Sequence, residues 1–189
     1  MRRAGPPNLA KLLAHLAALL LFLAASARPA RGDHHVAGEY EIKAAFVYRF
    51  THFTEWPADA FRDGDAPIVV ALVGEDPFGG ALEHAVADKV VNGRRLEYRH
   101  YPNAKALDRC HVLFVSGSER QQLARILADA RAFGALTVGD SDEFTRDGGM
   151  IRFMREDNKV RFEIHRQPVV KAGLRLSAQL LKLARIYKE

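Results

Sequence analysis

Pro67-Ile68-Val69-Val70-Ala71-Leu72-Val73 and Cys110-His111-Val112-Leu113-Phe114-Val115 are the two stretches on which the fold turns. Both are unbroken apolar runs rich in β-branched residues. A strand with one wet face alternates apolar with polar positions, whereas a continuous run fits a strand covered on both sides by helices. The residues around them supply those helices. Gly74-Glu75-Asp76-Pro77-Phe78-Gly79-Gly80 is a turn leading into a helix over 81–88. Asn92-Gly93 is a tight-turn signal before a strand over 95–101. Ser118 and Gln121 match a capping box, with Leu123, Ile126, Leu127 and Ala130 marking the buried face of the helix that follows. Gly134 sits where a C-terminal cap belongs, and a short strand over 135–138 comes next.

Moving outward, the pattern changes. Val160, Phe162 and Ile164 alternate with Lys159, Arg161, Glu163 and His165, the period of a half-exposed antiparallel strand. With Met150–Arg155 across Asp157-Asn158 it reads as a hairpin. Pro168 opens a last helical region whose stripe is Leu176, Leu180, Leu183, Ala184 and Tyr187. Upstream, Ile42, Ala45, Phe46, Phe50 and Phe53 recur at helical spacing over 39–53, while Glu41, Lys43 and Arg49 point elsewhere. Pro57 ends that helix. The whole predicts an α/β single domain. Its sheet is mixed and mostly parallel, of about five or six strands, with helices on both faces and a C-terminal β-hairpin plus helix.

The amino terminus sets the compartment. Arg2 and Arg3 precede an apolar run over 12–25 and the small residues Ala25-Ser26-Ala27, which together describe a secretory signal peptide over 1–27. Ala30-Arg31-Gly32 offers cleavage as late as residue 32. The run is short of the roughly 20 residues a span needs, so the processed chain is read as exported and not membrane-spanning. Residues 28–38 read as a flexible leader and 39–189 as the domain. Removing 1–27 takes away three basic and no acidic residues, and the formal charge falls from +5 to +2. That near balance, without a dense basic stretch, argues against nucleic acid as a partner.

A search for chemistry returns weak signals. The single cysteine, Cys110, cannot form an internal disulfide and reads as a buried thiol. None of the eight histidines has a metal-ligand spacing. If processing followed Gly32, His35 would stand third in the chain, a copper-capturing place; a solvated His34-His35 pair is the plainer reading. Ser116 and Ser118 lie between a strand and a helix, where a nucleophile elbow would sit, but G-x-S-x-G is absent. The turn over 74–80 lacks a phosphate-loop pattern. Asp76, Asp140 and Asp142 all follow apolar strands and could converge on a hard cation, although helix capping and loop solvation are the plainer reading. That trio carries the alternative function, a small-molecule or metal-binding protein feeding a transporter or sensor. Phe46, Phe50, Phe53 and Trp56 fit a core stripe, a dimer face or a contact with another protein. Phe50, Phe53 and Trp56 are the candidate partner-binding residues.

Several stretches in order resemble the YfiR family. They are Glu41-Ile42-Lys43-Ala44-Ala45-Phe46-Val47-Tyr48-Arg49-Phe50 with Phe53, Trp56 and Pro57; Gly74 with Asp76-Pro77-Phe78-Gly79; and Cys110 to Ser116. The series continues with Leu136-Thr137-Val138, Phe144, Gly148 to Phe153, Arg161 to Ile164, and Ala172 to Ala184. The resemblance implies a periplasmic regulatory domain that is not an enzyme and carries no catalytic residues or cofactors. Its expected partner is the periplasmic portion of an inner-membrane diguanylate cyclase, which it represses to lower cyclic di-GMP and biofilm formation. An outer-membrane lipoprotein that sequesters the repressor, and a homodimer, are implied too. Disulfide-based redox control, attributed to some members, is ruled out here by the lone Cys110.

Overall fold

In the computed structural model, which describes residues 33–188 (side chains from residue 38), the two apolar runs are neighbouring central strands. The elements are α1 (Asp33–Phe53), β1 (Thr54–Glu55), β2 (Ile68–Val73), α2 (Ala81–Val86), β3 (Val90–Val91), β4 (Arg94–Tyr101), β5 (Val112–Val115) and α3 (Leu123–Phe133). They continue with β6 (Leu136–Gly139), β7 (Ile151–Glu156), β8 (Lys159–Ile164), α4 (Arg166–Lys171), β9 (Arg175–Leu176), α5 (Ala178–Leu183) and β10 (Arg185–Ile186). The main sheet has the order β10-β8-β7-β6-β5-β2-β4-β3, and β1 pairs with β9 in a separate two-stranded sheet. Strands β4, β2, β5, β6 and β7 run parallel, β8 returns antiparallel, and β3 and β10 cap the edges. The main sheet thus has eight strands, more than expected. The extra ones are two-residue edges, too short to show a periodicity.

Why the central runs are unbroken is visible in the two cores. Ile68, Val70 and Leu72 of β2 and Val112 and Phe114 of β5 face one side, with Ala44, Val47 and Phe50 of α1 and Leu82 and Val86 of α2. Val69, Ala71 and Val73, with Leu113 and Val115, face the other, under Leu123, Ile126, Leu127 and Ala130 of α3. Alternate side chains therefore enter opposite layers, and each large one contributes about 1.5–3 kcal/mol of burial. The register pairs Val70 with Val112 and Leu72 with Phe114, so equivalent positions stack in both layers.

Turn chemistry follows the sequence closely. Asn92 and Gly93 adopt φ of 50° and 80°, and Asp157 and Asn158 adopt 49° and 58°. Two consecutive positive φ values give the twist that a tight hairpin needs. Gly134 ends α3 with φ 69°.

Four expectations need correction. Helix α1 begins at Asp33, so residues 33–38 are helical and not a loose leader. Its buried face is also rotated from the predicted stripe: Lys43, Ala44, Val47, Phe50 and Thr51 are inside, whereas Ile42 is 49% exposed and Ala45 is exposed. Lys43 can turn inward because it finds carboxylates there, as described below. The capping box at Ser118 is not formed: Ser116 caps a 3-10 turn over 117–122, and α3 starts at Leu123. Finally, the last helical region is two short helices. Gly173, at φ 74°, breaks it, and β9 intervenes. Residues 1–32 lie outside the described structure, as does the side chain of His35 in the copper reading. Among the described residues no helix is long and apolar enough to cross a membrane.

Candidate functional site

Ligands of open α/β sheets usually sit at the carboxyl ends of the strands, where the strand order reverses. Here that place lies between β2 and β5, and it is filled. Gly74 has φ 97°, and a Cβ there would meet Ser118 Oγ and come within 2.8 Å of Glu119 Cγ. Ser118 Oγ accepts the Glu75 N–H at 2.9 Å and lies 3.3 Å from Ser116 Oγ. Glu119 accepts the Ala104 N–H, and the His100 ring bonds the Gly74 carbonyl at 2.7 Å. Among the described residues neither serine bonds an imidazole, so no base is placed to activate one. The two hydroxyls join loops.

The aspartates also separate. Asp76 closes its own turn, accepting the N–H groups of Phe78 (2.8 Å) and Gly80 (3.0 Å). Asp140 accepts from Tyr40 Oη (2.7 Å) and Lys43 Nζ (2.8 Å), and Lys43 also reaches Glu39 (2.9 Å). Asp142 pairs with Arg152 Nη1 at 3.1 Å, while Arg152 Nε holds the buried Glu163 at 2.8 Å. Thr145 Oγ1 donates to the same Glu163 oxygen at 2.6 Å. Among the described residues no three carboxylate, imidazole or thiol groups are arranged to hold a metal. Asp140 and Asp142 do share a cleft of about 400 Å³, lined by Lys43, Arg152, Arg155 and Arg185 against Glu39, Asp140, Asp142 and Glu156. Its charges cancel, and its closest pairs tie α1 to the end of β6. Burial pulls Lys43 down, but its bonds to Asp140 and Glu39 outweigh that and hold its pKa above the ordinary value. Burial, then Asp140, pushes Tyr40 up to about 12.

The candidate partner residues divide. Phe50 is fully buried, its ring 5.2 Å from Phe162 and 5.8 Å from Phe153. It belongs to the core and offers no atom to a partner, which corrects its place in the set. Phe53 and Trp56 are half-buried and flank β1. Through β1 they lie beside the carboxyl-terminal segment: Thr54 pairs with Leu176, and the Phe53 carbonyl accepts the Ser177 N–H at 2.9 Å. Trp56 Nε1–H donates to the His111 carbonyl at 3.2 Å.

The carboxyl-terminal segment carries what the sequence reading missed. Val170 is 71% exposed and Leu183 65%, with Ile186 at 38%. Beside Val170, residues Val169, Leu174, Leu176 and Leu181 line a groove of about 200 Å³ whose rim bears Arg166 and Arg175. Residues 159–189 hold eight Lys/Arg and two Asp/Glu, against fifteen and twenty-one in 33–158. The chain is thus cationic at its end and acidic before it, though nearly neutral in sum. The signals for this region were in the sequence: Gly173 offers a break in the helical pattern, and the charge is lopsided.

Cys110 is buried just before β5, and burial pushes its thiol up to about 12.

No curated protein matches the chain. The YfiR/HmsC-like family profile matches residues 40–185, from α1 to the first residue of β10, and so takes in the other seven strands of the main sheet whole. A match over most of the length, on a fold with the expected mixed sheet, places the chain in the YfiR/HmsC-like family.

Proposed function

We infer that this chain is a periplasmic regulatory binding protein that represses an inner-membrane diguanylate cyclase by binding the cyclase's periplasmic portion, and so lowers cyclic di-GMP. Family membership supports the regulatory role. The observation that carries the binding role is the carboxyl-terminal face, where exposed Val170 and the apolar groove are rimmed by guanidinium groups. Exposed aliphatic side chains beside a concave apolar groove mark an interaction surface. The cationic rim favours an acidic partner and steers its approach. Phe53 and Trp56, next to β1 and β9, extend this face. The exported location, the homodimer and the outer-membrane lipoprotein that would sequester the repressor belong to the same reading.

Repression by binding is a population shift. A repressor acts only through its preference for the inactive cyclase, and moving an equilibrium from 1:99 to 99:1 takes about 5.5 kcal/mol. An interface of ordinary size, about 1,600 Å², supplies that readily. Deleting the gene should raise cyclic di-GMP, and crosslinking in intact envelopes should recover a membrane cyclase. Unchanged cyclic di-GMP, with no cyclase recovered, would reject the reading.

A further inference from the structure

His111 stands immediately before β5, under the Pro57–Pro67 strap that joins β1 to β2. Its Nδ1 accepts the Val69 N–H at 2.9 Å, so the neutral ring carries its proton on Nε2. Nε2 is the one buried side-chain nitrogen or oxygen, among the described residues, without a hydrogen-bond partner. Phe61 of the strap stacks on the imidazole, centroids 4.6 Å apart and planes at 17°. The Arg94 guanidinium lies over the same Phe61 ring at 3.9 Å. Two groups this close cannot share one face, so Phe61 is sandwiched between them. Arg94 Nη1 also donates to the strap carbonyls of Asp63 (3.1 Å) and Ala66 (2.7 Å). The Trp56 ring meets the imidazole edge-on at 6.0 Å.

We propose that His111 is an acid-sensitive clasp: uptake of one proton by its imidazole releases the strap and frees Trp56. The chemistry is local. A proton from solvent can add only at Nδ1, which faces the Val69 N–H. The second N–H, at Nδ1, then opposes the Val69 N–H as donor against donor, while the Nε2 N–H already in place has only the Ala60 carbonyl near it. A buried charge short of acceptors is unstable, so the charged ring is accommodated by moving toward water, and the Phe61 stack goes with it.

The surroundings reinforce the direction. Arg94 and Arg99 of β4 and Arg109 before β5 all disfavour a further positive charge, while the Ala60 carbonyl favours it. Asp63, Glu97, Asp108 and Arg62 line the adjoining cavity of about 430 Å³ and lie toward solvent. Burial is the largest influence, and the net effect holds the imidazole below its ordinary value of about 6.5. Opening would alter the surroundings of Trp56, and hence the edge of the face at β1 and β9. The clasp itself does not depend on which partner binds there.

Trp56 is the only tryptophan in the chain, so its emission reports the strap directly. Titrating the full processed protein from pH 7.5 to 4.5 should shift the emission reversibly to longer wavelength. The transition should involve one proton, centre below pH 6.5 and leave far-ultraviolet circular dichroism unchanged. His111→Asn keeps an acceptor for the Val69 N–H but cannot titrate, and should abolish the shift. Emission that stays constant over the range, or a shift retained in H111N, overturns the clasp. Should H111N not fold, hydrogen exchange on the wild type decides. The Val69 amide should lose protection across the same pH interval; protection equal at pH 7.5 and 5.0, corrected for intrinsic exchange, overturns the proposal.

Discussion

Helix α1 and the carboxyl-terminal segment are both amphipathic and both bear cations, yet they treat the two kinds of side chain in opposite ways. α1 buries a lysine and leaves an isoleucine in water: Lys43 is 5% exposed and Ile42 49%. The carboxyl-terminal segment keeps its cations outside and leaves Val170 and Leu183 beside them. The difference is one of partners. Lys43 has Asp140 and Glu39 within 3 Å, so its charge is compensated within the molecule. Among the described residues Arg175 pairs with Glu55 alone, at 3.6 Å, and both side chains are largely exposed. Surface pairs of that kind contribute about 0–1 kcal/mol. Polar groups inside α1's interface are spent on folding, whereas those around β9 are left for something else.

Four experiments would break or sharpen this contrast. The largest effect is expected in the α1 core: Phe50→Ala should cost about 3–5 kcal/mol in denaturant unfolding, because its ring fills the space between Phe46, Phe153 and Phe162. A cost near zero would mean that α1 is not docked as described. Next, Asp140→Ala should cost about 2 kcal/mol, less than the ~3–5 kcal/mol for a fully sealed pair because Glu39 remains on Lys43. Arg175→Ala, measured alongside, should leave the midpoint unchanged.

The third is a pH effect. Tyr40 is raised from about 10 to about 12, and Lys43 is also raised. Above pH 10 the unfolded chain gives up protons that the folded chain retains, so stability falls as pH rises from about 10. Tyr40→Phe should flatten that decline. Burial, with Asp76 and Glu83, also raises Tyr98 to about 12, and a residual slope should remain. The smallest stability effect belongs to the other region. Val170→Asp and Leu183→Asp should change unfolding by less than about 0.5 kcal/mol. The same variants should nevertheless raise cyclic di-GMP toward the level of the deletion strain. Full repression by the double variant would remove the carboxyl-terminal face from the binding site.

How much of this was legible depended on whether a feature is local. The runs at 67–73 and 110–115 declare doubly covered strands by composition alone. Asn92-Gly93 and Asp157-Asn158 declare their turns because few residues tolerate two positive φ values in succession. The orientation of α1 was not legible, since Lys43 turns inward only because Asp140, ninety-seven residues away, waits there. Ser118 likewise forgoes its local cap for the Glu75 N–H across the sheet. Of the candidate partner residues, Phe50 could not be told from Phe53 by spacing, because both fall on one stripe and burial depends on what α1 meets. The carboxyl-terminal face was missed for a different reason. Its leucines sit at helical intervals, but Gly173 interrupts the helix that would have aligned them.

The sealed thiol of Cys110 has a practical consequence. Because it is buried and its pKa is near 12, maleimides at neutral pH should pass it by while the chain is folded. A probe cysteine placed by Leu183→Cys would then be the only reactive sulfur, without first editing out the native one. The chain is thus ready for spin labels, photocrosslinkers or distance rulers attached one at a time around its carboxyl-terminal face.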